Sequence, residues 1–400
     1  MRTFRTKRFG RMIIVLAATT GTLLAAGCQP INHPNVTTRA TPGANANFKM
    51  MSGDAQYVVL SATAAGPVVP GAGNWRVNRT SGAVDALPAG VPKAISRDGS
   101  RVLVGTNTLW VNGTTSTSTG LLSPDLSARA FVGGDGTVQT QDVVTGVIRP
   151  VETDHPRPTG TTAEVLGVSD DGDTVMYHFA STLRIVDLAD GSVHDRPYGI
   201  AGRTVEYRLS GSGNGLAITD YVATDQGNFN AGVTLVHVPS DTTLATYTDD
   251  SASWFYGTTV LASDGGAAWL THERSVGDGE QGCPSAPFAA SCVIASELVH
   301  VGTGGPRVFD TYAGDLLAIT VTPNGRFATY TKEGIDSLLD PPWVGFGKPG
   351  PVHIIDAWSS GTSREDLTAG PSKSAYGYMS DNGALVATTS RDGGWLEFSH

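Results

Sequence analysis

The chain has 400 residues; Gly 50 and Pro 22 make it rich in turn formers, and a 40% hydrophobic share still allows a real core. Charged residues are only 16%, against about 25% in ordinary soluble proteins, which argues against long surface helices built on Glu and Lys. Five of the 27 basic residues lie in the first 12 positions and no acid precedes Asp54, so the chain beyond the leader has 22 basic and 37 acidic residues, net −15. Such a chain repels phosphate backbones and anionic headgroups, so no nucleic-acid partner is expected.

Residues 1–27 read as an export signal. A basic stretch runs to Arg11, and an uncharged stretch from Met12 to Gly27 follows. That stretch is too short and too rich in Ala, Gly and Thr for a membrane span of about 20 apolar residues. It ends Leu24, Ala25, Ala26, Gly27, Cys28. This end resembles the bacterial lipobox, with Ala25 where that pattern prefers Leu. The resemblance implies cleavage before Cys28 and acylation of its sulfur, with several acyl chains giving a stable anchor. The membrane contact expected is through that lipid alone, on the extracytoplasmic face of a bacterial cell membrane. Residues 28–47 contain Pro30, Pro34 and Pro42 and no apolar periodicity; apart from a strand that closes the fold, they read as a flexible tether.

From 48 to 400 one phrase returns eight times: Ser, two residues, usually Gly, then an apolar strand. The copies begin at Ser52, Ser96, Ser123, Ser169, Ser210, Ala262, Thr322 and Ser380. Five carry Asp-Gly or Asn-Gly, a dipeptide that accepts the positive φ angles of a tight hairpin turn. Most spacings lie at or above the length of a four-stranded propeller blade, about 40–45 residues. The unit resembles the WD-repeat-like, TolB-type blade. The resemblance implies an all-β chain folded as a single β-propeller of four-stranded antiparallel blades. Eight blades are counted; the short step between Gly99 and Leu126 keeps seven open. The ring is expected to close on an outer strand borrowed from the segment before Phe48, which removes exposed sheet edges.

Cys283 and Cys292 remain once Cys28 is assigned to lipid. In an exported chain this pair reads as a disulfide closing a short loop. Gly277, Gly279 and Gly282 match a dinucleotide fingerprint only as letters, because no βα unit surrounds them and Asp278 and Glu280 stand where pyrophosphate would sit. The nine histidines are scattered without metal-ligand spacing. No cofactor and no metal are expected.

Propeller enzymes of this resemblance work around the central channel. The residues just before each turn should line it, and only Arg208 among them is charged; loops could add Glu164 or Asp315. A metal-assisted hydrolase wants several converging carboxylates or histidines. The preferred reading is therefore a scaffold that binds an envelope or extracellular protein, or a small ligand. The alternative is a hydrolase or lyase with its site at the channel. Connections between the second and third strands look short in the blades at 99, 126 and 172 and long in those at 213, 265 and 325. The long ones carry Phe229, Phe288, Trp343 and Phe346, and a neighbouring crossover adds Trp254, Phe255 and Tyr256. Aromatics of this kind anchor interfaces, and these seven form the candidate binding sector.

Overall fold

Ser169 shows how the repeated phrase folds. Its Oγ donates to Asp171 Oδ1 at 2.5 Å and accepts the Thr174 N–H at 2.8 Å. Its backbone N–H donates to Thr174 O, and the Gly172 N–H returns to Ser169 O. The result is a four-residue hairpin loop with its polar groups satisfied. The same side-chain pair of bonds recurs at Ser52, Ser96, Thr322 and Ser380. Ala262 keeps only the backbone part. The fourth residue has positive φ in all eight copies, from 57° at Ala55 to 83° at Gly265. The reading of the dipeptide needs one correction: the Asp or Asn is not itself left-handed. It accepts hydrogen bonds, and a four-residue loop needs reversed backbone at its last position only.

The computed structural model describes residues 36–38, 46–224, 227–249, 254–277, 291–312, 314–334, 352–358, 364–366, 372–390 and 395–399. All fall within one compact unit, 33–400, and every element among the described residues is a strand. The thirty-two strands of the described residues form seven hydrogen-bonded sheets. Six are four-stranded antiparallel blades: 46–87, 92–117, 121–150, 163–197, 314–366, and 372–399 completed by Val36–Thr38. The seventh sheet has eight strands. It consists of two consecutive four-stranded units, 204–248 and 254–312, joined by one residue pair, Phe229 opposite Phe255. The ring thus holds eight four-stranded units, numbered blades 1 to 8 from Ala46, in seven sheets.

The first strands lie innermost, and they pack on one another at six of the eight boundaries, all but those of blades 2 and 3 and of blades 5 and 6. Closure follows the expected route: Val36–Thr38 pairs antiparallel with 396–398 as the outer strand of blade 8. The segment read as a tether therefore contributes a strand, and the expected boundary at 48 falls inside Ala46–Met51. The turns themselves are also linked around the ring. Asp54 N–H donates to Arg97 O, Asp170 N–H to Gly211 O, Ser212 N–H to Ser263 O, and Asp264 N–H to Pro323 O. Asp381 N–H reaches Gly53 O at 2.7 Å, which carries the circuit from blade 8 to blade 1.

The core lies between blades rather than inside them. Trp269, Phe309, Ile319 and Tyr330 fill the boundary of blades 6 and 7. Met50, Val59, Val102 and Trp110 fill that of blades 1 and 2. There Arg76 stacks its guanidinium between Tyr57 and Trp110, 4.3 and 4.5 Å from the ring centroids, and donates to Gly99 O and to Asp85. Such packing explains the composition: alternating apolar strands supply both walls of each boundary, and few charges are needed elsewhere.

Candidate functional site

In blades 2 to 4 the second strand has 4, 5 and 6 residues. In blade 5 it has 10, and in blade 6 it has 11, facing a third strand of 12. At about 3.3 Å per residue, the additional four or five residues carry these hairpins roughly 15 Å further. They extend on the face opposite the Ser-Asp-Gly turns. The connections expected to be long in these two blades, 224–232 and 272–295, are thus corrected in part: the hairpin ladder continues into them as far as Thr224↔Gly227 and Gly277↔Ser291. Backbone groups this far from the core satisfy one another by pairing.

Register brings four of the seven candidate aromatics together. Phe229 pairs with Phe255 across the boundary of blades 5 and 6. Trp254 lies opposite Arg274, Phe255 opposite Glu273, and Tyr256 opposite His272. Phe288, Trp343 and Phe346 lie outside the described residues, as do Cys28 and Cys283. Cys292 is placed on the strand Ser291–Gly302, opposite Val276.

Beneath this raised edge sits a buried polar network that sequence reasoning missed. His272 is almost fully buried. Its Nε2 lies 2.5 Å from Asp249 Oδ2, and its Nδ1 is 3.0 Å from the Tyr247 hydroxyl and 3.6 Å from Glu297 Oε2. The Nε2–H tautomer satisfies both short contacts, donating to Asp249 and accepting from Tyr247. Burial pushes the Tyr247 hydroxyl well above its ordinary value, with Asp249 and Glu297 adding to the shift. Tyr247 and Asp249 come from the end of blade 5, and His272 and Glu297 from blade 6, so the network ties the two blades below the Phe229–Phe255 pair. No sequence spacing links residues 247, 249, 272 and 297; only the cross-strand register does.

The channel is more polar than expected. Glu164 and Asp315 belong to inner strands, Ala163–Val168 and Gly314–Val321, rather than to loops. Glu206 sits on the inner strand of blade 5. Two of these carboxylates have local partners. Glu164 Oε2 is 3.0 Å from His178 Nε2, and Glu206 accepts from the Tyr221 hydroxyl at 3.1 Å and lies 3.4 Å from Arg208. His178 in turn stacks on Tyr198 at 3.9 Å. At the opposite mouth, Arg97 pairs with Asp381 at 2.5 Å. Asp125 and Asp170 flank the Arg97–Asp381 pair; burial raises both carboxyls despite hydrogen bonds from backbone N–H groups. Among the described residues no three His, Cys, Asp or Glu side chains are grouped to hold a metal. A separate cleft of about 460 Å³ lies between blade 3 and the crossover 151–162 that follows it. Its buried Glu152 and Arg157 are 3.0 Å apart, and Arg157 also donates to Thr161 O and Gly136 O, so the pair clasps the crossover to its neighbouring loop.

No family description matches this chain, and no curated protein does. Several solved structures are similar to it over most of their length. The Dos1 propeller is 12% identical, covers 89% of this chain and 93% of its own, and superposes with a TM-score of 0.47. A hydrazine synthase of Kuenenia stuttgartiensis is 14% identical over 91% and 98% of the two chains, TM-score 0.39. The propeller domain of Cps50 (Swd1) from Myceliophteria thermophila is 10% identical over 91% and 99%, TM-score 0.39.

Proposed function

We propose that this chain is an extracytoplasmic bacterial lipoprotein whose propeller serves as a scaffold for an envelope or extracellular protein, bound at the raised edge of blades 5 and 6. One observation carries the reading: two hairpins of double length meet at Phe229 and Phe255, with Trp254 and Tyr256 on the same strand. Rigid blades that present a few large aromatics suit protein recognition, because aromatic anchors contribute most of an interface's binding energy. The commitment of Glu164 and Glu206 to His178, Tyr221 and Arg208 supports binding over channel catalysis. The leader and Cys28 supply the address, and a Cys283–Cys292 disulfide would brace the tip of the longest hairpin.

A photo-reactive side chain at position 255 in the membrane-bound protein tests the site. It should yield one discrete crosslinked protein, and the same probe at Gly134 on blade 3 should not. Trp254→Ala with Phe229→Ala should lower affinity for that protein at least tenfold while leaving the thermal midpoint nearly unchanged, an effect of about 1.4 kcal/mol or more. Normal binding by the double variant removes the proposal. Intact mass of membrane-extracted protein tests the anchor: it should start at Cys28 and carry acyl mass.

A further inference from the structure

Strand polarity fixes where the chain enters the ring. In blade 8 the strand Ser372–Met379 runs to the Ser380 turn, Leu385–Ser390 leaves it, and Trp395–Ser399 returns. Ser399 stands opposite Leu385, just beyond that turn, and Val36 stands opposite Phe398. The closing strand therefore starts on the face that carries the eight turns and leads away from it. Eight peptide steps separate Val36 from Cys28, so Cys28 lies at most about 29 Å from this entry point.

Trp358 emerges on the same face, one blade away. In blade 7 Asp356 pairs with Phe327, just beyond the Thr322 turn, so the chain passes 357 and 358 as it leaves the ladder on the turn face. At 65% exposure Trp358 is the most exposed large apolar side chain among the described residues. A row of contacts joins it to blade 8. A Cβ on Gly383 of the blade 8 turn would stand 2.5 Å from the Phe327 ring. The Arg326 guanidinium then stacks on Phe327 and on Trp358, 4.5 and 5.2 Å from the ring centroids.

Charge on this face is uneven. The third residue of the turn is an acid in blades 1, 2, 3, 4 and 6, at Asp54, Asp98, Asp125, Asp171 and Asp264. In blades 7 and 8 it is Asn324 and Asn382, which accept the turn hydroxyl's hydrogen bond without carrying charge. Asp356 and Asp381 do lie at this corner, and each is paired, with Arg326 and Arg97. An acidic molecule is repelled by anionic headgroups. That repulsion is weakest at the corner where the chain enters.

We propose that the corner of blades 7 and 8 rests on the membrane that holds the Cys28 lipid, with the Trp358 indole at the level of the headgroups. The inference rests on the Cys28 anchor proposed above and adds a protein contact to it. Indole suits this boundary, being a broad apolar ring with one N–H donor. One indole alone would not hold the chain on a bilayer. The short tether keeps it beside the headgroups at an effective concentration in the millimolar range, so a weak contact suffices. The raised edge of blades 5 and 6, on the opposite face, is then presented away from the bilayer.

The acylated full-length mature chain, placed in vesicles of phosphatidylethanolamine with a minority of phosphatidylglycerol, tests the contact. Acyl chains brominated near the headgroups quench only those indoles that reach the lipid. Wild-type fluorescence should be lower in brominated than in plain vesicles, and Trp358→Phe should remove most of that difference. Val144 lies on the hairpin of blade 3, on the same face across the ring, and is 62% exposed. Val144→Trp should add emission that bromine leaves unchanged. Circular dichroism checks folding of both variants. Hydroxyl-radical footprinting needs no substitution at 358. Trp358 of the vesicle-bound chain should oxidise roughly fivefold more slowly than in the unanchored Cys28→Ser chain, and Val144 at the same rate in both. Intact mass and flotation with the vesicles report the anchor separately. An acylated, floating chain whose Trp358 is unquenched or unprotected overturns the inference and leaves the anchor standing. Protection of Val144 equal to that of Trp358 also overturns it, by showing that the whole face lies down. A chain without acyl mass overturns both the inference and the anchor.

Discussion

Gly99 and Gly191 share a left-handed backbone, φ 67° and 76°, and differ in what a methyl group would meet. At Gly191 nothing lies within 4 Å; at Gly99 a Cβ would stand 2.3 Å from Tyr57 Cδ2. Gly191→Ala should therefore cost only the left-handed penalty, about 1 kcal/mol. Gly99→Ala should cost about 3 kcal/mol, because Tyr57 must move and it supports the stacked Arg76. Urea midpoints of the two variants read the difference, and equal losses would mean that Tyr57 relaxes freely. His300 makes a pH prediction. It packs edge-on to Trp269 at 4.9 Å, and burial, aided by Arg307, lowers its pKa to about 4. The unfolded chain binds that proton near the ordinary value of about 6.5, so between these limits the unfolded state holds more protons and stability falls as pH falls. The loss is complete near pH 4 and amounts to at most about 3 kcal/mol. His300→Leu should flatten stability between pH 7 and 4.5. An unchanged acid slope in that variant would assign the sensitivity elsewhere.

At the scale of the element, the hairpin loop is the unit that the sequence states most clearly. Ser169→Ala removes the acceptor of the buried Thr174 N–H and the donor to Asp171. It should cost about 1–3 kcal/mol in equilibrium unfolding, and a neutral result would show that water replaces the hydroxyl. This explains why eight turns, their order and the closing strand were legible. Ser or Thr, Asp or Asn, and Gly act within five residues of each other, so their spacing in the chain is their spacing in space. Ala55 and Leu126 take the left-handed position without glycine, and the surrounding pattern still marks them. The raised hairpins were legible only as long connections. Whether residues 216–224 pair with 227–236 depends on partners supplied by the rest of the ladder, and the Phe229–Phe255 pair depends on two blades meeting. Glu164 reads as a loop residue in the sequence because inner strands here alternate weakly, with Glu164 and Gly167 interrupting the apolar pattern. The His272 network had no local signature, since its four members converge only through register.

Across the whole molecule, the ring is held by boundaries of unequal kind. Seven carry a buried apolar cluster among the described residues; the boundary between blades 2 and 3 does not. That boundary falls at the shortest step between turns, where strands of two to five residues leave little apolar surface to share. It is tied instead by Arg101 to Asp125 at 3.1 Å. Hydrogen exchange should therefore be fastest, outside the hairpin tips, in 92–132, and uniform protection around the ring would contradict this. The boundary of blades 8 and 1 is the opposite case. Besides its cluster and its borrowed strand, Arg79 grips Glu397 with two nitrogens, at 2.5 and 2.7 Å, and the side chains are 17% and 4% exposed. Removing one partner of a buried pair leaves the other charged without its mate and costs about 3–5 kcal/mol, whereas replacing both with apolar groups is often neutral. Arg79→Ala should lower stability by that amount. Arg79→Leu combined with Glu397→Leu should recover most of it. The comparison separates two roles for the pair. Recovery means that apolar packing and the strand Val36–Thr38 suffice to close the ring, with the ions setting only which surfaces meet. A double variant as unstable as Arg79→Ala would instead make the ion pair itself the clasp that joins the ends of the chain.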